Sequence, residues 1–191
     1  MSNLKQIGLA LRMYSQDYDE SFPYIGGNTG NEPRDAFCLL FGRVYGTSTS
    51  TNPIWQVKPC PNYLKNTDML VCPSSNDVKY TGDPEDVTVA FAPSFDVTAS
   101  NCSYAYGCAL DEQTNIESVL AADKVYGKGN DGLWSGIVTV SDANDNHGKD
   151  GVNVLYVSGS VQWVAADRNG NLPAEKLGGG QVTSGTGLRN P

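Results

Sequence analysis

The chain has 191 residues, 39% of them apolar, which suffices for one core and one domain with extensions. Twenty-one acidic residues outnumber thirteen basic ones, giving a formal charge of −8 with no run of Lys or Arg, and this excludes nucleic acid as a partner. No stretch reaches the roughly 18 to 20 uninterrupted apolar residues of a membrane-spanning helix, and no signal-peptide apolar region follows Met1.

The first twenty residues carry the clearest periodicity. Leu4, Ile7, Leu11, Tyr14 and Tyr18 recur at steps of three and four, which predicts one apolar stripe of a helix. Lys5, Gln6, Arg12, Gln16, Asp17 and Asp19 fall between them and suit the wet face. Ser2 and Asn3 are candidate caps, and Pro23 with Gly26-Gly27 is the expected stop. The stripe begins almost at once, as if the helix were cut from something longer.

From Phe22 to Pro53 the composition turns to Gly, Asn, Pro, Ser and Thr, interrupted by Phe37-Cys38-Leu39-Leu40-Phe41, a short buried helix by its composition. Pro61 to Asn66 reads as a helical turn or two, Met69 to Cys72 as a short strand stopped by Pro73, and Asp77 to Glu85 as a surface loop. The second half is strand-like. Cys102, Tyr104, Tyr106 and Cys108 alternate with Ser103, Ala105 and Gly107, so large residues share one face of a strand and small ones the other. The small face is expected to receive the N-terminal helix. Ser118 to Asp123, Gly136 to Val140, Val152 to Val157 and Ser160 to Val164 follow as strands. Ser158-Gly159 supplies a two-residue hairpin turn, and Val161 with Trp163 is expected on a buried face. After Leu177 the chain is Gly-, Ser- and Thr-rich, a tail without apolar periodicity.

Five cysteines, Cys38, Cys60, Cys72, Cys102 and Cys108, form no C-x-x-C pair. Disulfides in an oxidising compartment are one reading, with Cys60 and Cys72 the favoured pair because they frame a short segment; buried thiols are the other. His147 is the only histidine. A hydrolase would need it as general base, with Ser141 and Asp142 close in sequence, yet no G-x-S-x-G elbow is present and its surroundings are those of a polar turn.

The densest group of oxygen ligands runs from Ser141 to Gly151. Asp142, Asn144, Asn146 and Asp150 match the first, third, fifth and ninth places of an EF-hand-like calcium loop. His147 stands where the turn Gly belongs, and Asn153 where a bidentate Glu belongs. An Asx-rich turn between two strands is the competing reading.

The opening Met1 to Leu11, its continuation Tyr14 to Pro23, Val71-Cys72-Pro73-Ser74, Ser103-Tyr104-Ala105-Tyr106, Leu120-Ala121-Ala122-Asp123 and the segment from His147 to Gly159 together resemble the prepilin-type H-x9-DG family of pseudopilin-like, type IV pilin-like proteins. These landmarks span most of the chain. The last departs from the family pattern, since ten residues separate His147 from Ser158-Gly159 and Ser replaces the Asp. The resemblance implies an α+β, pilin-like fold: one long N-terminal amphipathic helix packed on a mostly antiparallel sheet with loop-rich insertions. Residues 1–22 would be the lower half of the stem helix, 23–177 the globular head and 178–191 a flexible tail. It further implies a non-enzymatic structural subunit of a type II secretion or type IV pilus-like filament. Such a subunit lies in the bacterial cell envelope on the periplasmic or extracellular face, and contacts other pilin-like subunits through the helix. It would reach the inner membrane only through an apolar helix encoded upstream of Met1. An extracellular adhesin or carbohydrate-binding module is the alternative, favoured if Trp55, Trp134 and Trp163 are exposed and coplanar.

Overall fold

The computed structural model describes residues 1–24, 36–37, 39–41, 62–81, 99–125, 138–140, 145–177 and 188–189. The fold is α+β, with one N-terminal helix and an antiparallel sheet. Helix α1 spans Ser2–Asp17 and buries Leu4, Ile7, Leu11 and Tyr14 of the expected stripe, while Tyr18, its last member, is the C-cap and only partly buried against the same core. A helix of this length is marginal alone. Leu4, Ile7 and Leu11 are fully buried, and each contributes about 1.5 to 3 kcal/mol by leaving water, so packing holds the helix.

Both ends of α1 differ from expectation. No side chain caps the start; Asn3 instead donates from Nδ2 to the Val71 carbonyl at 2.9 Å. The helix stops six residues before Pro23, because Asp19 and Glu20 adopt left-handed backbone at φ 49° and 62°. The amides of Tyr18 and Glu20 turn back onto the Ser15 carbonyl. The chain then runs beside residues 110–112, pairing Ser21 with Asp111.

The sheet comprises β1 (Tyr104–Gly107), β2 (Val119–Asp123), β3 (Gly151–Tyr156), β4 (Val161–Ala165) and β5 (Leu188–Arg189), in the order β4-β3-β2-β1-β5 with every pair antiparallel. The short β5 lies within the segment expected as a tail. The β3–β4 hairpin turns at Ser158-Gly159, but through a three-residue loop, Val157 to Gly159, instead of the two-residue turn expected: the Tyr156 amide donates to the Ser160 carbonyl across it. Gly159 takes φ 82° there and donates its amide to the Tyr156 carbonyl.

Strands β1, β2 and β3 are buried on both faces. One core joins the α1 stripe to Tyr104, Tyr106, Leu120 and Leu155; the other gathers Ala105, Ala122, Val152, Val154 and Val164 beneath the opposite face. The large face of β1 therefore meets the helix side, reversing the expected arrangement. Close approach is supplied by the helix instead: a Cβ on Gly8 would lie 2.9 Å from the Leu155 Cδ1 atom.

Three further expectations are corrected. Residues 62–66 are not helical, and Met69-Leu70 belongs to a one-turn 3₁₀ helix at Thr67–Leu70 instead of a strand. Asn66 caps that turn by accepting the Asp68 amide on its side chain, a local bond that outweighs the β-propensity of the apolar run. On β4, an edge strand, Val164 is buried and Val161 is half-buried against the helix-side core, while Trp163, expected beside Val161 on a buried face, is exposed. Residues 36–37 and 39–40 are helical and buried, as the Phe37 to Phe41 run implies, with Cys38 outside the described residues. Among the described residues no helix is long and apolar enough to cross a membrane.

Candidate functional site

A polar row interrupts the helix-side face of the sheet at one end. Tyr104 of β1 lies opposite Asp123 of β2, and Asn153 of β3 opposite Trp163 of β4. Asn153 bridges the two pairs, since both its backbone amide and its Nδ2 donate to Asp123 Oδ2, at 2.6 and 2.8 Å. Two loops close over this row. The loop after the 3₁₀ turn delivers Cys72, and the turn before β3 delivers Asn146 and His147.

His147 Nε2 lies 3.2 Å from Asp123 Oδ2, 3.7 Å from Cys72 Sγ and 3.0 Å from Asn153 Nδ2. Its ring packs edge-on against Trp163, with centroids 5.3 Å apart. Asn146 donates from Nδ2 to the Ser103 carbonyl at 2.6 Å and to Asp123 Oδ1 at 3.3 Å, while its own Oδ1 is buried without a partner. Asp123 is 1% exposed and so would be costly as a lone charge. Three N–H donors hold it, and its only ion-pair partner among the described residues is His147, whose side chain is 25% exposed.

Burial pushes the Cys72 thiol above its ordinary pKa; hydrogen bonds from Ser74 oppose this and the Asp123 charge adds to it. Burial likewise raises the Tyr104 phenol, and Cys72 and Asp123 reinforce the shift. The loop carrying Cys72 is pinned, with the Ser75 hydroxyl donating to the Cys72 carbonyl at 2.9 Å and lying 2.8 Å from the Ser103 hydroxyl. Beside it, Lys124 Nζ meets Asp77 Oδ1 and the Cys102 carbonyl, each at 2.8 Å. Cys72, Asp123 and His147 form a group of three metal-ligating side chains whose donor atoms all lie within 4.8 Å of one another.

Of the calcium ligands expected from sequence, Asp142 and Asn144 fall outside the described residues. Asn146 spends its amide on Ser103 and Asp123, and Asp150 is exposed and joins no group of three His, Cys, Asp or Glu donors among the described residues. Ser141, the serine weighed beside His147, is also outside them, as are Trp55 and Trp134; Trp163 is 39% exposed and stands on His147. Cys72 carries a free, buried thiol facing His147, and Cys60, its expected partner, lies outside the described residues.

Sequence reasoning missed the meeting of Cys72, Asp123 and His147. Each sat in a separately noted segment, Val71 to Ser74, Leu120 to Asp123 and His147 to Gly159, and four of the family-like landmarks converge here once Ser103-Tyr104 is included. No family model matches the chain, and neither the curated proteins nor the solved structures give a match.

Proposed function

We propose that the protein is a structural, non-catalytic subunit of a pilin-like filament, of the type II secretion pseudopilus or type IV pilus kind, working at the periplasmic or extracellular face of a bacterial envelope. The observation that carries this reading is the two-sided apolar character of α1. Its inner stripe is buried on the sheet, yet Leu9 and Met13 stand 64% and 46% exposed on the outer side. With Met1 and Lys5 they follow one row of four-residue steps, the kind of ridge that packs into the groove of a neighbouring helix. The occupant is the same helix of the next subunit. An apolar helix encoded upstream of Met1 would anchor the subunit before assembly.

The experiment places Leu9→Asp and Met13→Asp in the full-length gene product in its native cells. Surface changes of this kind leave stability within about 0.5 kcal/mol, so the purified domain keeps its melting temperature. Filaments are expected to disappear from the cell surface. Normal filament assembly by both variants, or a gene that starts at Met1 with no apolar segment before it, overturns the proposal.

A further inference from the structure

We infer that Cys72, Asp123 and His147 bind a divalent transition-metal ion of the zinc class. The inference is independent of the filament reading. In a tetrahedral zinc site, bonds of about 2.0 to 2.1 Å to nitrogen or oxygen and about 2.3 Å to sulfur place neighbouring N and O ligands about 3.3 Å apart and N and S about 3.6 Å apart. The corresponding separations here are 3.2 Å between His147 Nε2 and Asp123 Oδ2 and 3.7 Å between His147 Nε2 and Cys72 Sγ. Two of the three ligand edges thus already have tetrahedral length, and the donor atoms that close the third lie within 4.8 Å of each other.

The use of a single ring nitrogen sharpens this. In a proton relay the two imidazole nitrogens serve different partners. In this site Cys72 and Asp123 both approach Nε2, as ligands do when they converge on a common ion. Nε2 also faces the Asn153 Nδ2 group, which donates to Asp123, so the nitrogen is crowded by a thiol, an amide and a carboxylate. One cation between Nε2, Sγ and Oδ2 satisfies all three acceptors and supplies charge to a carboxylate that no Lys or Arg reaches among the described residues.

The surroundings are those of a supported ligand shell. Asn153 and Asn146 fix both oxygens of Asp123, the role that outer hydrogen bonds play around metal carboxylates. The buried, unpartnered Oδ1 of Asn146 adds an orphan acceptor on a residue bonded directly to the ligand carboxylate. The part-exposed His147 provides the entry side. A thiolate and an imidazole select zinc-class ions over calcium and magnesium, which take oxygen ligands. On binding, the Cys72 thiol gives its proton to solvent and the metal takes its place, leaving one tetrahedral position for water.

The test is a cobalt(II) titration of the reduced, chelator-treated full chain, followed by displacement with zinc. One equivalent of cobalt is expected to raise a thiolate-to-metal charge-transfer band and tetrahedral d–d bands, both bleached by zinc. Cys72→Ser and His147→Ala, checked for folding by circular dichroism, should lose the charge-transfer band and the tetrahedral spectrum respectively, and bind zinc more than about 100-fold more weakly. X-ray absorption of the zinc-loaded unmodified chain, which requires no variant, should give one sulfur at about 2.3 Å with nitrogen or oxygen at about 2.0 Å. No charge-transfer band, a band that survives in folded Cys72→Ser, or a zinc shell without sulfur overturns the inference.

Discussion

Arg12 donates from Nη2 to the Val157 carbonyl at 2.7 Å, joining the middle of the N-terminal helix to a residue 145 positions later. Its guanidinium also lies against the hairpin turn, where a Cβ on Gly159 would come within 3.3 Å of Arg12 Nε. Arg12→Met keeps the apolar stem and leaves the carbonyl without its charged donor, so unfolding free energy should fall by about 1 to 2 kcal/mol in urea. Gly159→Ala should cost at least as much, since it strains a backbone at φ 82° and crowds the same guanidinium. Because both act on one contact, the double variant should lose less than the sum.

Gly8 and Leu155 mark a close approach of helix to sheet. Ala is a better helix former than Gly by about 1 kcal/mol, but the added methyl would meet a fully buried Leu155, and overpacking costs about 1 to 3 kcal/mol. Gly8→Ala should therefore destabilise. In a Leu155→Ala background the sign should reverse, because the methyl then fills part of the cavity. A double-mutant cycle by chemical denaturation gives the answer; a stabilising Gly8→Ala in the parent chain contradicts the packing argument.

Asp123 accepts from Asn153 N, Asn153 Nδ2 and Asn146 Nδ2 in a buried setting. Asp123→Ala leaves these donors unpaired and should cost about 3 to 5 kcal/mol in the metal-free chain. Asp123→Asn should also destabilise, since its amide nitrogen must face one of the donors. A near-neutral Asp123→Ala, measured in chelator, would show that the network relaxes around the loss.

Tyr106 is fully buried and donates its phenol to the Pro23 carbonyl at 2.8 Å. Burial raises its pKa well above the ordinary value, with the neighbouring Cys108 and Tyr14 adding to the shift. The sign follows from the proton held more tightly in the fold: the contribution is complete below the unfolded tyrosine pKa of about 10 and is lost as pH rises from there toward the folded value. Melting temperatures of the parent and Tyr106→Phe should differ by a constant amount up to about pH 9 and converge above pH 10. Parallel curves across that range would contradict the assignment.

Local patterns made the α1 stripe and the place of the β3–β4 hairpin legible, because period 3.6 and a turn glycine are written in adjacent residues, although the loop takes in Val157 as well as Ser158-Gly159. The 3₁₀ turn at Thr67–Leu70 was hidden by the strand-like run after it; the side chain of Asn66 decided the outcome. Alternation along Cys102 to Cys108 correctly separated two faces but could not say which one meets the helix, since both are buried. The Cys72, Asp123 and His147 group was illegible for a different reason. Its members come from three segments, and the register of β1, β2 and β3 brings the carboxylate between the loops that supply the other two.

The tie between Arg12 and Val157 also sets an order of events during synthesis. Leu4, Ile7 and Leu11 emerge well before Tyr104, Leu120 and Leu155, which complete their core. Closing so long a loop before any contact rewards it is slow, and an isolated sixteen-residue helix has little persistence in water. Although made before the sheet, α1 is therefore among the last elements to settle, and the nascent chain stays unlocked until β3 and its turn have left the ribosome.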